Sequence, residues 1–132
     1  MMCGVNGFEV ADSNNSAVAH GGDDAPVVTV RRLPDAIVLA AAGEIDMTTA
    51  PALEDAVRRS LAEHPAVLVI DLTGAQFFSS AGIAVLVLAH RNRAGVTLRV
   101  VARDRIVLRP LELTGLTGDL AIYDSVEAAL EA

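Results

Sequence analysis

Lysine is absent from this sequence, and cysteine occurs only once. All ten basic residues are arginines, so a lysine nucleophile, a Schiff base and a Walker-type phosphate lysine are excluded. Because Cys3 is the single cysteine, an internal disulfide and a thiolate metal cluster are excluded as well. The three histidines, His20, His64 and His90, are not at metal-ligand spacing. We therefore expect neither a metal nor a cofactor.

Positive charge is also scarce. Seventeen acidic residues against ten basic ones give a formal net charge of −7 and a pI near 4.7. A chain with this field is repelled by nucleic acid and by anionic lipid. The longest apolar stretch, residues 81–89, is too short to span a bilayer, and the N-terminus does not have the pattern of a signal peptide. These features predict a cytoplasmic protein without a direct nucleic-acid or membrane partner.

The length of 132 residues predicts one domain, and a hydrophobic fraction of 52% excludes global disorder. The first 25 residues are rich in glycine, asparagine, aspartate and serine and have no apolar period. We predict a flexible N-terminal tail over residues 1–25 and a folded domain over residues 26–132.

The rest of the chain alternates between strand and helix patterns. Apolar and β-branched runs predict strands over residues 27–33, 36–42, 66–72, 97–102 and 121–123. Helical spacing predicts helices from Thr48 or Thr49, as N-cap, to His64, and then over residues 81–93, 104–113 and 125–131. This order predicts an α/β fold: a mixed, mostly parallel sheet of about five strands, opened by an antiparallel hairpin, with about four helices.

Functional sites of such sheets lie in loops beyond the carboxyl ends of the strands. Two segments qualify, residues 43–49 and residues 73–80. The second delivers Ser79 and Ser80 to the start of an apolar helix, where unpaired N–H groups and the positive end of the helix dipole lie. One serine there is explained as an N-cap, but one cap does not require two. Gly82 costs roughly 1 kcal/mol relative to alanine in a helix, which indicates a need for steric room.

The segment 71–83, DLTGAQFFSSAGI, resembles the signature of STAS-domain anti-sigma factor antagonists. In that signature an apolar strand leads to Asp-Leu-Ser/Thr, an aromatic-apolar pair and Asp-Ser-Ser/Thr-Gly-Leu. The segments GEID, 43–46, and TAPAL, 49–53, resemble the other recurring part of the family, and the whole resemblance covers residues 27–130. It implies the STAS fold and a partner-switching role. Such a protein binds an anti-sigma factor, usually a GHKL-type serine kinase, and thereby releases a sigma factor until the kinase phosphorylates it.

Carried over residue by residue, the resemblance places Ser80 on the phosphorylated serine and Gly82 on the family's glycine. Ser79 stands where the family usually has aspartate, which makes it the alternative phosphorylation site, and Ala81 replaces the second hydroxyl residue. Asp46 matches the acidic residue of the other loop, although a turn or capping role explains it equally well. The expected partner-binding residues are Asp46, Thr49, Phe78, Ser79, Ser80, Ala81, Gly82 and Ile83.

Other functions remain as alternatives. Ser80-Ala81-Gly82 ends like a nucleophile elbow, but Phe78 stands where the first glycine of that motif belongs, so we expect no enzyme. The departures at Ser79 and Ala81 favour a second interpretation, a STAS scaffold or a ligand- or redox-sensing interaction domain without a phosphorylation switch. We expect a monomer or a weak dimer.

Overall fold

The computed structural model of the chain describes Asn15–Ala19 and residues 27–132. The strands are β1 (Asn15–Ala19), β2 (Val27–Arg32), β3 (Ala36–Ile45), β4 (Val67–Phe78), β5 (Thr97–Val101) and β6 (Ala121–Tyr123). The α-helices are α1 (Ala50–Ala62), α2 (Ser80–Arg91), α3 (Arg105–Leu113) and α4 (Val126–Glu131). A single 3₁₀ turn, Leu116–Gly118, lies between α3 and β6.

The strands form one sheet in which spatial order follows chain order, β1 to β6. β1, β2 and β3 are antiparallel neighbours, whereas β3, β4, β5 and β6 are parallel. The predicted fold class, a mixed and mostly parallel sheet opened by an antiparallel hairpin with four helices, is therefore confirmed.

The sheet has one more strand than the sequence predicted. The backbone of β1 pairs with β2, with Asn15 opposite Arg31, although we had placed residues 15–19 in the flexible tail. The short segment is flanked by turn formers, so its pairing depends on the edge that β2 offers and not on a periodic pattern of its own. The other residues of the predicted tail lie outside the described part of the chain, and the domain boundary at residue 26 stays a prediction.

β3 and β4 are longer than predicted. They run to Ile45 and Phe78, where we expected them to end at residues 42 and 72. The start of the first expected loop and most of the second are therefore strand, paired from Ala42 opposite Gly74 to Ile45 opposite Phe78. The glycines that suggested loops accommodate register shifts in this ladder. Gly43 has a φ of 94°, which glycine adopts without strain.

Helices cover both faces of the sheet. On one face, α1, α2 and α3 bury residues such as Leu53, Leu86 and Leu111 against the strands. On the other face, Ala129 of α4 packs with Val38, Val69 and Val101, as the alternation of strand side chains requires. No helix within the described residues has the length and apolar character needed to cross a membrane.

Candidate functional site

The ends of β3 and β4 bring the two predicted segments side by side. Ile45 is in register with Phe78, and the N–H of Ser79 donates to the carbonyl oxygen of Ile45 at 2.9 Å. Neighbouring strands lie only about 4.8 Å apart, so Asp46 and Ser79 leave the sheet next to each other. The site therefore consists of the β3–α1 loop and the β4–α2 junction.

Ser79 is the N-cap of α2. Its backbone is extended (φ −94°, ψ −179°), and its Oγ accepts a hydrogen bond from the N–H of Ala81 at 3.2 Å. Its carbonyl oxygen accepts the N–H groups of Gly82 and Ile83 at 3.0 and 3.2 Å. The capping role that the sequence left open for either serine thus belongs to Ser79.

Ser80 is the first residue of α2 and is exposed to solvent. Its hydroxyl makes no side-chain hydrogen bond to any residue that the structure describes. A capping role does not explain this second serine. Its hydroxyl is accessible at the end of a helix whose free N–H groups favour a negative charge.

Gly82 is required by the packing of α2 on β4. A Cβ at this position would lie 2.6 Å from Cε1 and 2.9 Å from Cζ of Phe78, and 3.0 Å from Cγ2 of Ile45. Phe78 is only 5% exposed, so its ring has little room to move away. The steric need inferred from the cost of a helical glycine is therefore present, and its cause is the Phe78 ring.

Asp46 organises the β3–α1 loop. Its Oδ1 accepts the N–H groups of Thr48 and Thr49 at 3.0 and 3.1 Å. The Thr49 hydroxyl accepts the N–H of Asp46 at 2.9 Å and donates to the carbonyl oxygen of Glu44 at 2.6 Å. The expected N-cap, Thr48 or Thr49, is wrong in one respect. Thr49 occupies the cap position, but its side chain makes no cap hydrogen bond. Pro51, in the first turn of α1, has no N–H to donate, and the Thr49 hydroxyl forms its hydrogen bonds within the β3–α1 loop instead.

The expected partner-binding residues differ in their accessibility. Phe78 and Gly82 are buried, so little of either residue is accessible at the surface. Ser80 is exposed, whereas the remaining members are half-buried: Asp46, Thr49, Ser79, Ala81 and Ile83.

Two large apolar side chains that are not among the predicted partner-binding residues lie beside them. Met47, in the β3–α1 loop, is 83% exposed, and Phe77, near the end of β4, is 51% exposed. Phe77 points away from the core because consecutive strand residues alternate between faces and Phe78 is buried. An apolar residue between the acidic and hydroxyl residues of the first loop was the signal that would have identified Met47.

Comparison with known proteins assigns the fold to a family. Residues 27–129 match the model of the STAS domain, and the chain belongs to this family. It is 37% identical over 109 residues to anti-sigma-F factor antagonist RsfB of Mycobacterium tuberculosis, covering 81% of this chain and 88% of that protein. It is 34% identical over 110 residues to anti-sigma-F factor antagonist RsfA of the same species, covering 79% and 84%.

A crystal structure of an anti-sigma factor antagonist from Mycobacterium paratuberculosis is similar over nearly the whole domain. The TM-score is 0.79 at 34% sequence identity, and the match covers 86% of this chain and 97% of that one. The resemblance read from residues 71–83 and 43–53 is therefore confirmed at the level of the family.

Proposed function

We propose that this protein is an anti-sigma factor antagonist, which binds an anti-sigma factor and thereby releases a sigma factor. The relatives named in this way are similar along most of their own length as well as along most of this chain. The site at the ends of β3 and β4 supplies a docking surface that combines exposed apolar and polar groups, including Met47, Phe77 and Ser80. Contiguous exposed apolar patches are typical of protein interaction sites, and Met47 and Phe77 lie near the ends of neighbouring strands.

We further propose that the partner is a GHKL-type serine kinase and that it phosphorylates Ser80. The observation that carries this proposal is that the two serines differ in hydrogen bonding and in exposure. Ser79 Oγ is half-buried and engaged with the N–H of Ala81, while the Ser80 hydroxyl is exposed. A kinase needs an accessible hydroxyl, so Ser80 is the preferred acceptor and Ser79 the alternative.

Phosphorylation of Ser80 would change the surface without breaking the fold. A phosphoserine adds a charge of about −1.5 to −2 and three acceptor oxygens. The N-terminus of α2 stabilises such an anion through its N–H groups and dipole. The docking surface changes strongly, however, because a bulky dianion lies beside the half-buried carboxylate of Asp46. A loss of about 3–4 kcal/mol in binding corresponds to several hundredfold in affinity.

A second function has an observation in its favour. Ser79 and Ala81 depart from the Asp and Ser/Thr of the family pattern, which is compatible with a STAS interaction domain that has lost the phosphorylation switch. In that case the protein would bind its partner, or a ligand, without regulation at Ser80.

Phosphate mapping distinguishes the two functions. The protein is incubated with the cognate anti-sigma factor, ATP and Mg²⁺, and the modified serine is identified by mass spectrometry in wild type, Ser80→Ala and the matched control Ser79→Ala. We expect phosphate on Ser80 in wild type and in Ser79→Ala, and none in Ser80→Ala, while both variants still bind the partner. Binding without any phosphate would establish the second function, and absence of binding in all three would refute the antagonist role.

A further inference from the structure

A groove of about 410 Å³ lies on the sheet face that carries α4, with Thr29, Ala40, Asp71, Thr73, Arg31 and Arg103 among its lining residues. The docking-surface residues Met47, Phe77 and Ser80 are not among its lining residues, so the groove is separate from the docking surface described above. Its volume is within the range of about 300–1,000 Å³ that is typical of small-molecule sites.

The floor of the groove follows from strand register. Thr29 is opposite Ala40, Ala40 is opposite Asp71, and Asp71 is opposite Val101, so these four residues form one row across the sheet. The methyl group of Ala40 is small, which keeps the middle of this row low. α4 packs on β4, β5 and β6, and within the described residues no other helix covers this face. The row therefore lies at the bottom of the open groove.

The centre of the groove presents a hydrogen-bond acceptor in a fixed orientation, the carboxylate of Asp71. Asp71 Oδ1 accepts the N–H of Thr73 at 3.0 Å and the Thr73 hydroxyl at 2.8 Å. These two bonds hold the carboxylate in one orientation. Its other oxygen, Oδ2, has no hydrogen-bond partner in the part of the chain that the structure describes. An oxygen of this kind accepts a hydrogen bond from a hydroxyl or an amino group.

Besides Asp71, the lining carries charges of both signs, the arginines Arg31 and Arg103 and the carboxylate of Glu127. Arg31 lies on β2 and Arg103 follows β5, three strand spacings or roughly 14 Å apart in the direction across the strands. They are further apart in space, because the row of Arg31 crosses β5 at Arg99, four residues before Arg103. Arg31 and Arg103 are both exposed, and the ion pairs found among the described residues involve four other arginines. A guanidinium presents a planar set of donors that matches a carboxylate or a phosphate.

We propose that this groove binds a small organic anion that also carries hydroxyl or amino donors. The guanidinium of Arg103 takes the carboxylate or phosphate, and Asp71 Oδ2 accepts a hydrogen bond from the donor group. Val101 is opposite Asp71 in the sheet and precedes Arg103 by two residues, and both Asp71 and Arg103 line the groove. Since Ser80 does not line the groove, the proposal does not depend on the function proposed above.

Calorimetric titration of the full chain tests the proposal with three probes at millimolar concentration. Glycerol 3-phosphate carries a phosphate and hydroxyls, L-glutamate carries carboxylates and an ammonium group, and glycerol is the neutral control. Arg103→Gln is compared with Arg91→Gln, which removes the same charge from an exposed residue of α2 outside the groove. Asp71→Asn removes the acceptor charge while keeping the shape of the side chain.

We expect saturable binding of at least one charged probe and none of glycerol. Arg103→Gln should weaken that binding at least about tenfold, since a hydrogen bond to a charged group is lost, while Arg91→Gln should leave it unchanged and Asp71→Asn should weaken it. Absence of binding by both charged probes would overturn the proposal. Equal losses in the two arginine variants would overturn it too, because they would show general charge attraction instead of a built site.

Discussion

Replacement of Gly82 by alanine tests the packing that positions the Ser80 site. The new Cβ would lie 2.6 Å from Cε1 of Phe78 and 3.0 Å from Cγ2 of Ile45, so it meets buried side chains on two strands. The Phe78 ring must tilt or α2 must move away from β4. Either response displaces the first turn of the helix, where Ser79 and Ser80 lie.

The expected free-energy change has two parts of opposite sign. In a helix, alanine is more favourable than glycine by about 1 kcal/mol. Overpacking of a well-packed core costs typically about 1–3 kcal/mol, and more when several neighbours are rigid. Because the contacts here involve both Phe78 and Ile45, we expect the steric cost to exceed the helical gain. The net result is a destabilisation of about 1–2 kcal/mol.

Urea denaturation followed by circular dichroism measures this change. Gly118→Ala is the matched control, since a Cβ at Gly118 meets nothing within 4 Å, and it should leave the free energy of unfolding nearly unchanged. In a double-mutant cycle, Phe78→Leu should relieve part of the cost of Gly82→Ala, because the smaller side chain leaves room for the methyl group. An increase in stability of about 1 kcal/mol in Gly82→Ala would refute the packing argument.

Of three further predictions, two concern residues of the candidate site and one concerns the ion pair between Arg32 and Glu63. Ser79→Ala should lower the free energy of unfolding by about 1 kcal/mol through loss of the α2 cap, whereas Ser80→Ala should change it by less than about 0.5 kcal/mol; equal effects in urea denaturation would contradict the assignment of roles. Asp46→Ala should cost about 1 kcal/mol, since the N–H groups of Thr48 and Thr49 in the loop before α1 lose their acceptor, and Asp46→Asn should retain about half of that stability. The hydrogen bond from Arg32 to Glu63 raises the pKa of the Arg32 guanidinium above its ordinary value, so its stabilisation is complete at every pH below that ordinary value and is lost only as the pH rises through the raised pKa. Since both side chains are more than 40% exposed, Arg32→Gln should cost less than about 1 kcal/mol, and that cost should shrink in high salt and be flat across neutral pH.

The topology of the domain was predictable because its signals are local and periodic. The continuous apolar run of β4 and the helical spacing of Leu53 and Val57 indicate a buried strand and an amphipathic helix without reference to the rest of the chain. Alternation of such elements permits few arrangements. The family signature then predicted a candidate site at the edge of the sheet where β3 and β4 end.

The parts that were not predictable depend on contacts between distant residues. The C-terminal residues of β3 and β4 form strands only because each segment supplies the other's hydrogen-bond partners. Gly43 and Gly74 obscure this pairing in the sequence. β1 likewise depends on β2. The need for Gly82 was visible as a local cost, but its cause, the Phe78 ring, appears only when α2 is packed on the sheet.

Accessibility of the site residues was the weakest part of the sequence-based prediction. Phe78 was expected to contact a partner and is buried, whereas Phe77 and Met47 were omitted and are exposed. Strand alternation decides which phenylalanine faces solvent, and that alternation was not visible while the segment was interpreted as a loop.

The affinity of the Ser80-phosphorylated protein for its anti-sigma factor tests the central claim most directly. Homogeneously phosphorylated and unmodified protein are titrated against the same partner by calorimetry, and the unfolding of each is recorded in urea. We predict a several hundredfold weaker Kd for the phosphorylated form, with a free energy of unfolding within about 1 kcal/mol of the unmodified form. Equal affinities of the two forms would contradict the claim, and so would a weaker affinity that is accompanied by unfolding of the domain.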